Sequence, residues 1–222
     1  MTVSAIVVNG ARLVADPSGA LVWPDQSAVV VADLHLEKGS GYARKGTLLP
    51  PYDSAATLVR LTALVDSLHP ERVLCLGDSF HDGDAPARLT GAERDSIAAL
   101  TRRTDWVWIE GNHDPAPPQD LGGRVASEIV VGPLVFRHQS RAGIGEISGH
   151  LHPKAYVPTR GGHVAGRCFV EDGQRLILPA FGAFTGGLDV LDPAIRTLMG
   201  PAFAVHVIGR DRVHRFAGRQ LG

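Results

Sequence analysis

The chain has 222 residues, 44% of them hydrophobic, which suits a single large α/β domain spanning residues 1–222. A net charge of −1 and a pI near 6.8 exclude a protein that binds duplex nucleic acid through a broad basic surface, so any polyanion must be held locally. The two cysteines are widely separated, which predicts reduced thiols and a cytoplasmic protein. The sequence shows no pattern of a secretory leader and no apolar run of about 18 residues, so we expect a soluble protein without a membrane anchor. These features leave its oligomeric state open.

The first predicted elements are two short strands, 5–8 and 11–15, joined at Asn9-Gly10, a dipeptide favoured where both central turn residues need positive φ. A third strand is predicted at 21–23. Three apolar runs then resemble strands buried on both faces, each followed by polar residues that can bind metal ions. They are 28–32 before Asp33-Leu34-His35, 73–76 before Gly77-Asp78, and 106–109 before Gly111-Asn112-His113-Asp114. Because ligands bind beyond the carboxyl ends of strands in open α/β sheets, these motifs lie where a site is expected.

Two helices are predicted between these strands. The first has an apolar stripe from Leu58 to Leu68, with Asp53 or Ser54 as its N-cap and Pro70 just beyond its end, and the second covers 92–102. In the second half the pattern changes to short strands, predicted at 125–131, 134–137, 146–149, 168–171, 176–178, 203–208 and 212–216. This order predicts two β-sheets packed face to face, with helices covering at least the sheet of the first half.

Two histidine motifs occur among these later strands: His138, after the predicted strand 134–137, and Gly149-His150-Leu151-His152. Taken alone, an Asp-x-His or a Gly-Asp after a strand is usually structural or solvated. The full ordered set is far more specific, because the first-half motifs and His138 each land directly after a predicted strand. Carboxylate, imidazole and amide ligands on successive loops can hold two divalent cations about 3.5–4 Å apart.

The ordered set resembles the calcineurin-like metallophosphoesterase superfamily, whose pattern is DxH, GD, GNH[DE], a lone His and GHxH. The resemblance implies an α/β fold, a four-layer α-β-β-α sandwich of two mixed β-sheets flanked by helices. It implies two ligand sets that share one carboxylate: Asp33, His35, Asp78 and His152 for one metal, and Asp78, Asn112, His138 and His150 for the other. It also implies hydrolysis by a metal-bridging hydroxide, with His113 assisting the leaving group and Asp114 orienting the His113 imidazole.

Longer segments resemble a narrower group, the ligase-associated DNA damage response endonuclease family. They are Val31 to Gly39, Tyr42 to Gly46, Leu48 to Tyr52, Cys75 to Asp82, Trp106 to Ile109 and Leu178 to Gly187. This resemblance spans most of the chain and implies a bacterial, manganese-dependent phosphodiesterase and DNA endonuclease that is associated with a repair ligase and a helicase. The nitrogen and oxygen ligands themselves also accept iron, zinc or cobalt.

A loop predicted at 42–52 offers a physical route to nucleic acid. Tyr42 could stack on an unpaired base while Arg44 and Lys45 meet phosphates, a combination suited to single-stranded DNA. A solvated loop with an ordinary packed tyrosine is an equal alternative. His81 is close enough to Asp78 in sequence to reach substrate, or it stabilises the turn in which it lies.

Three other features favour structural interpretations. The arginine-rich tail from Arg210 to Arg219 is more typical of a solvated edge strand than of a DNA-binding surface. Trp106 and Trp108 are expected in the core. The segment 181–187 could line the mouth of the site, but a glycine-relieved bulge beneath the metals is the favoured interpretation.

Two other functions are alternatives. A phosphatase or cyclic-nucleotide phosphodiesterase acting on small substrates is favoured by the near-neutral charge. A non-catalytic scaffold with the same fold is less favoured, because His113 and every ligand position are filled. The residues leave open endonuclease versus end-processing activity and DNA versus RNA preference.

Overall fold

Two β-sheets packed face to face form the centre of the computed structural model, which describes residues 4–50, 52–159 and 162–221. The strands of the first sheet, in spatial order, are β1 (Ser4–Val8), β2 (Ala11–Ala15), β3 (Leu21–Trp23), β4 (Ala28–Val31), β5 (Arg72–Leu76), β6 (Asp105–Ile109) and β7 (Arg124–Ala126). The first four strands are antiparallel neighbours, whereas β4 to β7 run parallel. The predicted opening hairpin is confirmed, since Asn9 and Gly10 have φ values of 44° and 83°.

The second sheet is also mixed. Its main path, in spatial order, is β15 (Val213–Ala217), β14 (Ala204–Ile208), β12 (Gly162–Glu171), β13 (Arg175–Ile177), β10 (Glu146–Ser148), β9 (Leu134–Arg137) and β8 (Glu128–Val131), and β11 (Lys154–Thr159) pairs with β12. Strand β10 lies parallel to both β9 and β13, while the other neighbours are antiparallel. The arginine-rich tail contributes β15, an edge strand, as its sequence favours.

The helices cover mainly the first sheet. They are α1 (Lys38–Arg44), α2 (Asp53–Leu68), α3 (Ala85–Arg88), α4 (Gly91–Arg103) and α5 (Pro193–Arg196). Three short 3₁₀ segments complete the described elements: Pro24–Gln26, Gln119–Leu121 and Gly218–Gln220. Among the described residues, no helix combines the length and the apolar character needed to cross a lipid bilayer.

Three hydrophobic cores account for the layered arrangement. The central core joins the two sheets and includes Leu74 and Val107 from the first and Phe136 and Phe169 from the second. A second core lies between the first sheet and helices α2 and α4, and it contains Trp106 and Trp108, as predicted. A third core covers the outer face of the second sheet with β11, Val190 from the segment after β13 and the short α5. The four-layer α/β sandwich is therefore present, with a much thinner helical layer on the second sheet.

The predicted strand 125–131 is two strands rather than one. Its first part, β7, ends at Ala126 in the first sheet, and its second part, β8, begins at Glu128 in the second sheet. Ser127 is the residue at which the chain changes sheets. An unbroken apolar pattern gives no sign of this crossing, because both parts are strands and each lies at the edge of its own sheet.

The first long helix begins differently from the prediction. Helix α2 starts at Asp53 with Tyr52 at the N-cap position, so neither predicted residue caps it. The side chains of Asp53 and Ser54 instead accept hydrogen bonds from the backbone N–H groups of Gly39 and Glu37, at 2.9 and 2.7 Å. These two side chains therefore hold the start of α1 instead of capping α2. Helix α1 also includes the first residues of the segment 42–52, which was predicted to be a loop.

Candidate metal centre

The carboxyl ends of the parallel strands bring the sequence motifs to one edge of the sandwich. Asp33, Asp78 and Asn112 follow β4, β5 and β6, which are adjacent and parallel in the first sheet. His138 and His150 follow β9 and β10, which are adjacent and parallel in the second sheet. Because parallel neighbours end at the same edge, residues distant in sequence converge here.

The backbone at this edge is unusual. Five of the predicted ligands have positive φ although they are not glycine: Asp33 (54°), His35 (44°), Asp78 (46°), His150 (69°) and His152 (47°). This conformation is disfavoured for residues with a Cβ and clusters at functional sites, where the surrounding fold has to stabilise it. The left-handed turns carry these residues out of the strands.

One group of ligand atoms contains Asp33, His35 and His152, whose donor atoms all lie within 4.8 Å of one another. Nε2 of His152 is 3.4 Å from Oδ1 of Asp33 and 3.4 Å from Nε2 of His35. Asp33 is fully buried, and its carboxylate accepts a hydrogen bond from the backbone N–H of His150. Two imidazoles and one carboxylate thus face a common point.

The second group contains Asp78, His138 and His150, again within 4.8 Å. Nε2 of His138 lies 3.4 Å from Oδ1 of Asp78, 3.1 Å from Nδ1 of His150 and 2.9 Å from Oδ1 of Asn112. All four side chains therefore present their ligand atoms to the same small volume. Asn112, unlike the other three residues, is exposed to solvent.

Asp78 connects the two groups. Its Oδ1 faces His138 at 3.4 Å, and its Oδ2 lies 3.9 Å from Nε2 of His35. Burial alone would raise the pKa of Asp78, but the hydrogen bond and charge of His138, with the backbone N–H of His113, lower it to about 2. Burial lowers the pKa of His35 to about 3, so near neutral pH the carboxylate is ionised and this imidazole is neutral.

The donor set fits divalent cations. Nδ1 of His138 lies 2.9 Å from the carbonyl oxygen of Leu76, so it donates its proton there. Burial alone would lower the pKa of His138, but its hydrogen bond with Asp78 and the charges of Asp33 and Asp78 raise it. Nε2 can therefore hold a proton between the acceptor oxygens of Asn112 and Asp78, and a divalent cation would take the place of that proton. Histidine, carboxylate and amide ligands without thiolate suit manganese, iron, zinc or cobalt.

The glycines of the motifs make room for the ligands. A Cβ on Gly111 would lie 2.3 Å from Oδ1 of Asp78, and a Cβ on Gly149 would lie 2.6 Å from Oδ2 of Asp33. Such contacts are closer than real side chains allow. The glycine in each motif therefore permits close packing against a ligand that comes from another motif, a role that the sequence pattern alone does not indicate.

His113 lies beside this cluster. Its Nε2 is 4.0 Å from Oδ2 of Asp78, and its Nδ1 donates to the carbonyl oxygen of His81 at 2.8 Å. The side chain is 42% exposed, so a substrate can reach it. The geometry leaves Nε2 directed toward the metal-ligand cluster.

Asp114 has a different position from the one predicted for it. Its Oδ2 accepts hydrogen bonds from the backbone N–H groups of Ser79 and Phe80, at 2.8 and 3.1 Å, and burial raises its pKa to about 7. Among the described residues, its side chain forms no hydrogen bond with the His113 ring, which the His81 carbonyl orients instead. Asp114 thus supports the loop after β5 that carries Asp78.

The other predicted substrate residues surround His81. The rings of His81 and His113 are stacked, with centroids 5.5 Å apart. The ring of Tyr42, a residue of α1, has its centroid 5.5 Å from that of His81. Arg44 forms an exposed ion pair with Asp84, and Lys45 lines the same pocket of about 460 Å³. Three aromatic rings thus lead away from the metal-ligand cluster toward a charged rim, where Arg44 and Lys45 lie together with Asp82 and Asp84.

Comparison with known proteins agrees with this geometry. Residues 27–174 match the family model described as calcineurin-like phosphoesterase, and the chain belongs to that family. This family, together with the two groups of ligand atoms, identifies the chain as a metal-dependent phosphoesterase.

Two solved structures are similar to the chain to different degrees. The nuclease MPE of Pseudomonas putida is 31% identical with a TM-score of 0.76, and the alignment covers 97% of this chain and 100% of that one. This similarity supports the narrower resemblance to the ligase-associated endonuclease family. YfcE, a phosphoesterase from E. coli, is 11% identical with a TM-score of 0.43 over 88% of this chain and 99% of that one. A search of curated protein sequences found no significant match.

Proposed function

We propose that the chain is a binuclear metal-dependent phosphodiesterase that cuts DNA as an endonuclease in repair, acting on single-stranded or unpaired segments. The observation that carries this proposal is the position of Asp78, whose two oxygens face the two groups of ligands. One divalent cation would be held by Asp33, His35, Asp78 and His152, and the other by Asp78, Asn112, His138 and His150.

Two cations at these positions would activate a water molecule for in-line attack and neutralise charge on the phosphoryl oxygens. The chain's own residues then hold the cations, orient the substrate and deliver a proton. The ligand set has only two carboxylates, Asp33 and Asp78, so the site keeps a net positive charge with both cations bound. That excess charge favours an anionic phosphodiester.

His113 is placed to assist the leaving group. Its Nδ1–H donates to the His81 carbonyl, which directs Nε2 toward the space beside Asp78. In the protonated imidazole Nε2 carries the proton that the departing oxygen needs. In this proposal Asp114 is a positioning residue, because its carboxylate holds the backbone at Ser79 and Phe80, next to Asp78.

The surroundings of the site support a nucleic-acid substrate. Tyr42 and His81 continue the stacked arrangement that starts at His113, and successive rings can stack on unpaired bases. Arg44 and Lys45 line a pocket next to these rings and can meet phosphates. The similar protein from P. putida is a nuclease, which favours DNA over a small phosphate ester.

Manganese is the proposed native metal, and a repair ligase and a helicase are the proposed functional partners, both on the resemblance to the ligase-associated family. A reducing cytoplasm is the proposed location, which the buried free thiols of Cys75 and Cys168 fit. Reconstituting the metal-free protein with manganese, iron, zinc and cobalt, with activity and bound metal measured for each, tests the choice of metal.

The test of the function compares three substrates: a single-stranded oligonucleotide, the dye diester bis(4-nitrophenyl) phosphate and a dye monoester. The manganese-loaded protein should cut the oligonucleotide internally and hydrolyse the diester. His113→Ala should lower kcat on both by about 10²- to 10⁴-fold, the usual contribution of a positioned acid, while two metals stay bound. His214→Ala, which removes an exposed histidine on the edge strand β15, is the matched control and should leave turnover unchanged.

Each other outcome contradicts a defined part of the proposal. Turnover of the monoester with no attack on DNA would favour a phosphatase or a small cyclic-nucleotide phosphodiesterase. Turnover indifferent to His113→Ala would assign the proton to another group. Two bound metals without any hydrolysis would favour a scaffold.

A further inference from the structure

Three cationic side chains surround a segment that lies next to the metal centre. This segment, residues 180–187, is held against the first ligand loop, because the backbone N–H groups of Phe181 and Gly182 donate to the carbonyl oxygens of Ala32 and Asp33, at 2.8 and 3.1 Å. The cations are Arg60, Lys154 and Arg167, here called the basic cluster. They come from α2, β11 and β12, so no sequence pattern groups them.

Two members of the basic cluster are arginines that hold this segment. Arg167 donates from Nη1 to the carbonyl oxygen of Ala180 at 2.8 Å, and Arg60 donates to the carbonyl oxygen of Phe181. The guanidinium of Arg60 also lies over the Phe181 ring, 4.8 Å from its centroid. Each guanidinium has five N–H donors, so these single contacts leave most of its donor capacity unused.

The two guanidinium groups are close enough to affect each other. Burial lowers the pKa of Arg167, and burial together with the charge of Arg167 lowers the pKa of Arg60. Bringing two like charges together in partly dry surroundings costs free energy unless an anion compensates them.

Lys154 adds a third charge and lies two residues after the predicted ligand His152. It lies directly opposite Arg167 in the β11–β12 ladder, and like charges in opposite positions destabilise a sheet. Lys154 and His152 both lie against Gly187. A Cβ added to Gly187 would be 2.2 Å from the His152 carbonyl oxygen and 2.9 Å from Cγ of Lys154.

No acidic side chain of the described residues forms an ion pair with the basic cluster. Among the described arginines, ten do have a carboxylate within 4.0 Å: Arg44, Arg72, Arg88, Arg94, Arg103, Arg124, Arg137, Arg141, Arg175 and Arg215. Six more have no such partner among the described residues: Arg12, Arg102, Arg196, Arg210, Arg212 and Arg219. Asp189 forms a backbone bridge with Lys154, but its carboxylate accepts from the N–H of Leu191 instead. The cluster thus has excess positive charge in a protein whose total charge is −1.

We propose that the basic cluster binds a backbone phosphate of the nucleic-acid strand on the His152 side of the metal centre. This inference rests on the proposed function and deepens it by assigning residues that position the strand. Guanidinium groups bind phosphate oxygens through paired N–H donors, and the lysine ammonium adds a mobile point charge. Small phosphodiesters would not reach the cluster, so it would act only on longer substrates.

The test uses the manganese-loaded protein and measures how a single-stranded 12-nucleotide DNA competes with hydrolysis of bis(4-nitrophenyl) phosphate. The inhibition constant is obtained whether the DNA is cut or not, so a failure to cleave DNA would contradict the proposed function without affecting this measurement. Lys154→Gln and Arg167→Gln should each weaken competition several-fold and reduce the slope of log Ki against log salt by about 0.7, the value for one lost contact on a single strand.

Three comparisons make the result decisive. Lys154→Arg keeps the charge and should keep the wild-type slope. Arg102→Gln removes an exposed charge near the end of α4, which precedes the start of β6 and so lies at the opposite edge of the sheet, and it should change nothing. For Lys154→Gln, whose ammonium makes no hydrogen bond to a described residue, kcat/KM on the dye diester should stay within twofold of wild type. Wild-type slopes for both Gln variants, or an equal fall in dye-diester turnover, would overturn the inference.

Discussion

The two sheets contribute unlike ligands to the same centre. The loops after the first sheet provide both carboxylates, Asp33 and Asp78, and both are almost fully buried. The loops after the second sheet provide His138, His150 and His152, of which the last two are half-buried. Neither sheet alone carries a complete ligand set, so the site forms only when the sheets pack together.

The same comparison explains where the charge lies. Buried carboxylates without a partner are costly, and here the compensating groups are imidazoles from the opposite sheet or the cations that replace their protons. The two carboxylates of the first sheet are deeply buried, whereas His150 and His152 of the second sheet lie closer to solvent. Substitutions on the two sides should therefore differ in kind.

The largest effect is expected where the two halves meet. Asp78→Asn removes the one carboxylate that faces both groups, so both metals should be lost and diester hydrolysis should fall by more than about 10³-fold, given the several kcal/mol that metal ions supply. Elemental analysis and kcat/KM measure this. Asp82→Asn, a nearby but partly exposed carboxylate paired with Arg88, is the matched control. Retention of two metals by Asp78→Asn would contradict the bridging role.

The next effect concerns the core that holds the sheets together. Phe136→Ala removes a fully buried ring from the second-sheet side of the central core and should lower the free energy of unfolding by about 3–5 kcal/mol. Urea unfolding of the metal-free protein measures this loss. Phe184→Ala, at an exposed ring, should cost far less. Equal losses for the two variants would show that the sheets do not depend on this core.

A smaller effect should follow from crowding one ligand. Gly111→Ala puts a methyl group 2.2 Å from the backbone nitrogen and 2.3 Å from Oδ1 of Asp78, so this residue and its carboxylate must shift. Metal affinity should then fall by about 10- to 100-fold, as for other changes just outside the ligands. Titration of the metal-free protein with manganese measures it. Gly91→Ala, with nothing within 4 Å of the added carbon, should bind metal normally. Unchanged affinity in Gly111→Ala would mean that Asp78 does not need its present position.

The smallest effect is expected at the opposite edge of the first sheet. The hydrogen bond from Arg72, with a second from Arg124, holds the pKa of Asp105 below its usual value despite partial burial. A carboxyl group whose pKa is lowered by folding contributes its full stabilisation when the pH is above its pKa in the unfolded chain, near 3.9. That contribution is lost as the pH falls below this value and through the pKa of the folded state. Asp105→Asn should therefore cost at most about 1 kcal/mol at pH 7, because the pair is exposed, and less near pH 3.

Unfolding curves at the two pH values test this last expectation. Catalysis should stay unchanged in Asp105→Asn, which makes the variant a reference for the site substitutions. A cost that grows toward acid pH would reverse the assigned sign.

The convergence of the candidate ligands could be predicted because most of their motifs directly follow a strand. Each apolar run predicts a strand, and the polar motif after it marks where that strand ends. These motifs are Asp33, Gly77-Asp78 and Gly111-Asn112-His113. Parallel pairing of β4, β5 and β6 then brings these loops together, as expected. The local sequence pattern of these loops agrees with their positions in the fold, so motifs found in the sequence lie together in the structure.

Other features depend on contacts that no local pattern contains. Helix α1 has no apolar stripe, and its glycines, Gly39 and Gly41, are there because Asp53 and His81 leave no room for a side chain. The carbonyl of His81, rather than the side chain of Asp114, orients His113. Strand β11 includes Pro158, which weakens any strand prediction. The basic cluster joins Arg60 to two residues that lie more than 90 positions later in the sequence.

The account's central claim is that two cations share Asp78 between ligands from the two sheets. Anomalous X-ray diffraction from manganese-soaked crystals tests it most directly. Two peaks about 3.5–4 Å apart are expected, both within bonding distance of the Asp78 carboxylate, one beside His35 and His152 and the other beside His138 and His150. A single peak, or two peaks of which one does not touch Asp78, would contradict the claim.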